Sequence, residues 1–311
     1  MIRHFYSLFD LGSAELAHVL DRADRFKSAR GTPDHPQPLS GKTVVILLEK
    51  TSTRTRVSFE VGIRELGGHP LVLLAKDTQL GRGEPLEDTA RMLGGYAHAV
   101  VYRTFAHDRL RRLSDAAQIP VINGLTDDFH PCQLVADLQT VREHFGQLKG
   151  LRVAWIGDGN NMAHSWVNAA KLAEFELVLS CPEGFEPNLQ VLRSVGNDMP
   201  VRIVRDPLEA ARGAHVVTTD VWASMGQEEE ASARQEAFLG FCVDGEVMSR
   251  AEKNAIFLHC LPAHRGEEVS SSVIDGPSSR VWDEAENRLH AQKALMEWCV
   301  PSVAAPDADR A

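Results

Sequence analysis

Residues 44–48 form a short, unbroken apolar run that includes adjacent valines, the pattern of a strand buried on both faces. Helical spacing precedes it at Leu16, Val19, Leu20, Ala23 and Phe26, and a Gly-, Pro- and charge-rich loop over 31–38 separates the two. The alternation then repeats. Helices are predicted over 57–66, closed by Gly67-Gly68, around 86–93 and near 110–117, and strands over 71–74, 99–102 and 121–122. An amphipathic segment over 133–145 leads through Gly146 and Gly150 into strands at 152–156, 177–180, 201–204, 216–219 and 256–258. A last helix over 288–299 could pack against either half, and the polar tail from Pro301 should fray. The pattern implies an α/β protein with parallel sheets covered by helices. The domain boundary is expected between 135 and 150, with a first domain over 1–135 and a second over 150–287.

Composition narrows the class. A chain of 311 residues exceeds what one core usually serves, and 43% hydrophobic with 24% charged residues is ordinary for a globular protein. Asp and Glu (43) outnumber Lys and Arg (33), which argues against a nucleic-acid or anionic-membrane partner. The compact basic run Arg109, Arg111 and Arg112 reads as a solvated helix face. Five scattered cysteines without CxxC spacing suggest neither a disulfide framework nor a zinc site. With no apolar stretch near the ~18 residues of a membrane span, a cytoplasmic protein is expected.

The chemistry concentrates where strands end. Directly after the strand at 44–48 comes Glu49-Lys50-Thr51-Ser52-Thr53-Arg54-Thr55-Arg56, and then the predicted helix. A strand-to-helix turn points free N–H groups and the positive end of the helix dipole outward, where an anion can sit. A Ser/Thr cap with exposed arginines would explain one hydroxyl. It would not explain two cations at the positive helix end, where each opposes the dipole unless an anion is bound. Arg103, ending the strand at 99–102, and His130 and Gln133, before the 133–145 segment, could converge on the same sheet edge.

In the second half, Gly157-Asp158-Gly159-Asn160-Asn161-Met162 opens like a dinucleotide fingerprint, but Met162 stands where the third glycine belongs. Glu183 falls about where a ribose-binding acid could lie, so a nicotinamide enzyme remains an alternative. Asp220 follows one strand, and His259-Cys260-Leu261-Pro262 follows another. A cysteine beside a histidine at a strand end makes thiolate formation plausible.

Five segments in order resemble the motifs of the ornithine carbamoyltransferase family over nearly the whole chain. They are Ser52-Thr53-Arg54-Thr55-Arg56, His130-Pro131-Cys132-Gln133, Asp220 with Ser224-Met225-Gly226, His259-Cys260-Leu261-Pro262, and residues 283–290 with Arg288. The resemblance implies two doubly wound parallel-sheet domains flanking a central cleft, with helix 288–300 crossing back to the first domain. It also implies a homotrimer or a higher assembly of trimers. Carbamoyl phosphate contacts are implied at Ser52, Thr53, Arg54, Thr55, Gln79, Arg103, His130, Gln133, Cys260, Leu261 and Arg288. Ornithine contacts are implied at Asn161, Asp220, Ser224 and Met225, with Cys260, Asp220, Arg54 and His130 as catalytic residues. On its residues alone, the loop 76–84 containing Gln79 reads as a plain surface loop; by resemblance it reaches a neighbouring subunit.

The implied reaction carries the carbamoyl group of carbamoyl phosphate to the side-chain amine of L-ornithine, giving L-citrulline and phosphate, in arginine biosynthesis. Its leaving group is already good, so neither cofactor nor metal is expected. Two alternatives accompany it: a related carbamoyltransferase acting on putrescine or an N-acylated ornithine, and a catalytically silent α/β ligand sensor. The sensor would be expected to have lost charged groups that this chain retains.

Overall fold

The computed structural model describes residues 2–196, 201–223 and 231–300. It divides into two compact units: one holds the described residues up to Tyr6, Ala14–Asp127 and those from Leu289 on, and the other Ser7–Ser13 with Asp128–Arg288.

The first unit is built on β1 (Thr43–Leu48), β2 (His69–Leu74), β3 (Ala99–Arg103) and β4 (Val121–Leu125), all parallel, in the order β2-β1-β3-β4. The central strands are the most continuously apolar, and both are buried along nearly their whole length, whereas edge strand β2 is partly exposed. Around them lie α1 (Ser13–Ser28), α2 (Thr53–Glu65), α3 (Leu86–Tyr96) and α4 (Asp108–Ala117). Val45, Leu47 and Tyr102 pack with Leu86, Ala90, Leu93, Leu110 and Leu113 on one face of the sheet.

The second unit contains α5 (Pro131–Phe145), β5 (Arg152–Ile156), α6 (Asn161–Ala173), β6 (Glu176–Ser180), α7 (Leu189–Ser194), β7 (Val201–Val204), α8 (Pro207–Ala211) and β8 (Val216–Thr219). It continues with α9 (Ala231–Ala237), α10 (Gly245–Arg250), β9 (Ile256–His259) and α11 (Ser271–Ile274). Its five strands are parallel, in the order β7-β6-β5-β8-β9. The last helix, α12 (Val281–Cys299), begins in this unit. From Leu289 on it packs within the first: Leu289, Lys293 and Met296 crowd Gly62 of α2, Lys293 pairs with Glu65, and Arg22 grips Glu297 through two bonds of 2.6 and 2.7 Å.

Element boundaries differ from the sequence expectation by several residues at α2, β4 and α12. Helix α2 starts at Thr53 rather than residue 57, because Ser52 caps it by accepting the Thr55 N–H at 3.2 Å. Strand β4 runs on to Leu125 through the buried Asn123 and through Gly124, residues that do not read as strand. Helix α12 starts at Val281, with Asp283 and Glu284 in its first turn, where acids suit the helix dipole. The division between units falls at Asp127/Asp128, so α5 lies wholly in the second. Among the described residues, no helix is long and apolar enough to cross a membrane.

Candidate active site

In each sheet the winding reverses beside the first strand, between β1 and β3 and between β5 and β8. The carboxyl ends of strands at such a switch point are where open α/β sheets gather ligand-binding groups. Both switch points here are ringed by the polar residues picked out from sequence.

At the first, the Ser52–Arg56 motif forms the first turn of α2, so its two arginines take different directions. Arg56 is exposed and pairs with Glu60 at 3.6 Å. Arg54 is half-buried, and no acid or other side-chain partner among the described residues engages its guanidinium. Thr55 is fully buried and accepts a 3.2 Å hydrogen bond from Arg103 Nη1. Arg103 sits where the β3–β4 register shifts, Gly124 being the extra residue, and such a bulge re-aims the side chain at the strand end.

The acids near this turn are committed elsewhere. Glu49 accepts from Thr104 Oγ1 and Arg109, and Arg109 Nε lies 3.1 Å from the Tyr102 hydroxyl. Asp127 pairs with Lys50, whose ammonium also lies 4.4 Å from the Phe105 ring centroid. Arg109 therefore departs from the expected solvated face: it is a part-buried strut that pairs with Glu49 beside the strand-to-helix turn. Arg112, on the same helix, keeps to the surface and pairs with Glu87 at 2.8 Å. Gln79 is exposed at the start of the 3-10 turn Leu80–Arg82, and its side chain has no partner among the described residues. Its loop is nonetheless tightly made: a Cβ on Gly81 would lie 2.5 Å from the Ala75 carbonyl oxygen.

At the second switch point, Asn160 caps α6 by accepting from the N–H groups of Met162 and Ala163, and its amide donates to Asp220 Oδ2 at 3.1 Å. Asn161, expected to touch the amine substrate, opens the helix and accepts from Ser165 through its carbonyl. The second glycine of the fingerprint has a packing role. A Cβ on Gly159 would lie 2.2 Å from Pro187 N and 2.7 Å from the Phe185 carbonyl, so that segment occupies the close approach a dinucleotide pyrophosphate requires.

Asp220 Oδ1 accepts a hydrogen bond from Cys260 Sγ at 3.2 Å. Burial, then the charge of Asp220, then that of Glu284 push the Cys260 thiol well above its ordinary value. Thiolate formation, plausible from sequence, is disfavoured by this setting, in which the thiol donates to a carboxylate. His259 is fixed from both sides, Nδ1 accepting the Leu261 N–H at 2.9 Å, so that Nε2 carries the hydrogen facing Glu268 at 3.2 Å. Asp220, His259 and Cys260 bring three potential metal-ligand atoms within 4.8 Å of one another, yet both His259 nitrogens are already engaged. Leu261 holds a left-handed φ of 59°, a conformation costly for a leucine.

Gln133, fully buried on α5, donates both amide hydrogens, to Asp137 Oδ1 at 2.7 Å and Glu284 Oε1 at 2.8 Å. Burial raises both acids, Asp137 to about 7 and Glu284 well above its ordinary value, so the coupled pair favours holding a proton between them. His130 is buried at the head of α5, its N–H bonded to Ser165 Oγ at 2.9 Å, and Arg288 is buried near Asp137 and Glu284. Ser224 and Met225 lie outside the described residues. Sequence reasoning passed over Asn160, Asp137 and Glu284 as site residues. The available signals were Asp137 one helical turn after Gln133 and Glu284 one turn before Arg288.

A hydroxyl-lined cationic turn lies on one parallel sheet and an acid–thiol pair on another, in a two-unit α/β protein. A family model of the aspartate/ornithine carbamoyltransferase carbamoyl-P binding domain matches residues 3–143, and one of the Asp/Orn binding domain matches residues 149–299. The chain belongs to the aspartate/ornithine carbamoyltransferase family and is a carbamoyltransferase. It is 54% identical over 297 residues to the ornithine carbamoyltransferase of Halorhodospira halophila, covering 96% of this chain and 98% of that one. It is 50% identical over 297 residues to that of Hydrogenovibrio crunogenus, with the same coverage. The crystal structure of ornithine carbamoyltransferase from Burkholderia thailandensis matches with a TM-score of 0.89 at 45% identity, over 97% of this chain and 99% of that one. The Pyrococcus furiosus enzyme matches at 0.90 and 44%, over 97% and 98%.

The Asp220–Cys260 bond carries a prediction. In a Cys242→Ser background, which removes the other half-exposed thiol, alkylation of Cys260 by iodoacetamide should stay slow until well above pH 9. Asp220→Asn removes a charge that raises the thiol, so its alkylation profile should shift to lower pH. An unshifted profile in Asp220→Asn would show that Asp220 does not hold the proton on sulphur.

Proposed function

We propose that the chain transfers the carbamoyl group of carbamoyl phosphate to the side-chain amine of L-ornithine, yielding L-citrulline and phosphate. Its setting is arginine biosynthesis in the cytoplasm. The observation that carries this reading is the Asp220–Cys260 pair at the ends of neighbouring strands, an acidic acceptor beside a protonated thiol. It suits an ammonium-bearing nucleophile, and relatives of about half-identical sequence bear the name ornithine carbamoyltransferase.

In this reading the first turn of α2 and Arg103 take the phosphate. The N–H groups of the turn, the hydroxyls of Ser52, Thr53 and Thr55, and the guanidiniums of Arg54 and Arg103 neutralise the charge that grows on the leaving oxygen. His130 and Arg288 polarise the carbamoyl oxygen, Gln133 faces the carbamoyl nitrogen, and the left-handed Leu261 offers its carbonyl to the same group. The arriving amine must lose a proton, which costs about 4–5 kcal/mol at pH 7 for a lysine-like group. Asp220 binds the ammonium and draws the proton away. Cys260, already protonated, orients Asp220 rather than acting as base. Asn161, Ser224 and Met225 complete the ornithine side by resemblance.

The assembly we propose is a homotrimer, or trimers of higher order, in which Gln79 completes a neighbour's site. Exposed apolar side chains on the first unit support an association surface: Val57 (52%), Leu71 (47%), Met92 (43%) and Tyr96 (76%). The exposed Gln79 tips a loop held firm by its own contacts.

Two experiments test the proposal. With carbamoyl phosphate and a panel of ornithine, putrescine and N-acetylornithine, ornithine should give citrulline with a kcat/KM at least about 100-fold above the others. Faster carbamoylation of another amine would contradict the substrate assignment. For the shared site, Arg54→Ala and Gln79→Ala trimers, each nearly inactive, should regain activity when dissociated and reassembled together. Absence of any regain, with subunit exchange confirmed by mass, would exclude a site built from two chains.

A further inference from the structure

The Gln133 amide is held in a way that decides what it presents. Its nitrogen lies 2.7 Å from Asp137 Oδ1 and 2.8 Å from Glu284 Oε1, so both hydrogens are spent on carboxyl oxygens. Its oxygen is buried and has no partner among the described residues. Turned the other way, the amide would set that oxygen against two acidic oxygens, an arrangement that costs more than it returns. Glu284 is held in turn, its Oε2 accepting the His259 N–H at 2.9 Å. One carboxyl thereby joins Gln133 on α5 to the end of β9, from which Cys260 and Leu261 extend.

We propose that Asp137 and Glu284 are positioning residues for the transfer reaction: together they fix the Gln133 amide so that its Oε1 meets the NH2 of the carbamoyl group. An acceptor presented there needs a donor, and the NH2 is the only nitrogen donor carbamoyl phosphate has. The inference rests on the proposed placement of Gln133 against that substrate. The shared proton of the pair fits it, because one carboxyl can donate to the other while both still accept from Gln133.

The test uses the purified enzyme in citrulline formation, with melting temperature and circular dichroism recorded for each variant. Gln133→Ala examines the placement itself and should lower kcat/KM for carbamoyl phosphate. Asp137→Asn replaces one of the two carboxyl acceptors by a neutral amide that can donate as well as accept, so Gln133 is no longer held to one orientation and can offer NH2 to NH2. Its kcat/KM for carbamoyl phosphate should fall about 10- to 100-fold, with the KM for ornithine within twofold of wild type. Glu284→Gln should behave likewise, since its oxygen stays with the His259 N–H and its NH2 faces Gln133. The swap Gln133→Glu with Asp137→Asn keeps net charge and the hydrogen bond, now donated by residue 137, and again presents an oxygen. It should recover at least about fivefold over Asp137→Asn alone.

A folded Asp137→Asn or Glu284→Gln enzyme within twofold of wild type would overturn the proposal, as would a folded swap variant with no recovery. Should Asp137→Asn not fold, Glu284→Gln and the swap decide by the same criteria. A Gln133→Ala enzyme indistinguishable from wild type would instead refute the placement of Gln133, and the positioning role with it.

Discussion

A cation at the positive end of a helix, with no acid to answer it, is unfavourable in isolation, and among the described residues Arg54 occupies that position at the start of α2. The surrounding side chains keep it so. Glu49 is taken by Arg109 and Thr104, Asp127 by Lys50, and Glu60 by Arg56. Ser52 caps the helix and Arg103 clamps Thr55, which fixes the turn without supplying a counter-charge. An anion with several oxygens relieves this arrangement, and the burial of β1 and β3 makes the turn stiff enough to wait for one.

The second unit is built with the opposite sign. Asp220, Asp137 and Glu284 gather around Cys260 and Gln133, offset by the buried Arg288, and burial raises the Asp137 and Glu284 carboxyls and the Cys260 thiol above their ordinary values. Asp158 shows how such burial is met elsewhere in this unit: Arg234 Nη1 donates to it at 2.8 Å and also to the Trp222 carbonyl.

The parallel sheets were legible because buried parallel strands are continuous apolar runs, and the strand-to-helix turn at 49–56 because its hydroxyls and cations crowd directly after such a run. What sequence hid depended on side-chain direction. Arg54 and Arg56 look alike two residues apart, yet Arg56 faces Glu60 and Arg54 has no acid partner among the described residues. Arg109 has the composition of a surface stripe and became a strut because Glu49, just after β1, lies within direct reach of it. Asn160 and Asn161 are neighbours in an identical context, and only the helix start decides which one caps and reaches Asp220. Thiolate formation at Cys260 was inferred from an adjacent histidine; His259 turns to Glu268 and Leu261, leaving Asp220 as the nearer charge. Asp137 and Glu284 are 147 residues apart, a pairing no local pattern reveals.

The central claim is that Arg54, and not its neighbour, is the waiting counter-charge of the phosphate turn. Calorimetric titration of wild type, Arg54→Ala and Arg56→Ala with inorganic phosphate at fixed ionic strength tests it most directly. Loss of a charge-assisted bond worth about 1.5–3 kcal/mol should weaken binding about 10- to 100-fold in Arg54→Ala. Arg56→Ala, whose guanidinium is exposed and paired with Glu60, should bind within about twofold of wild type. Equal losses in the two variants, or undiminished binding in Arg54→Ala, would contradict the account.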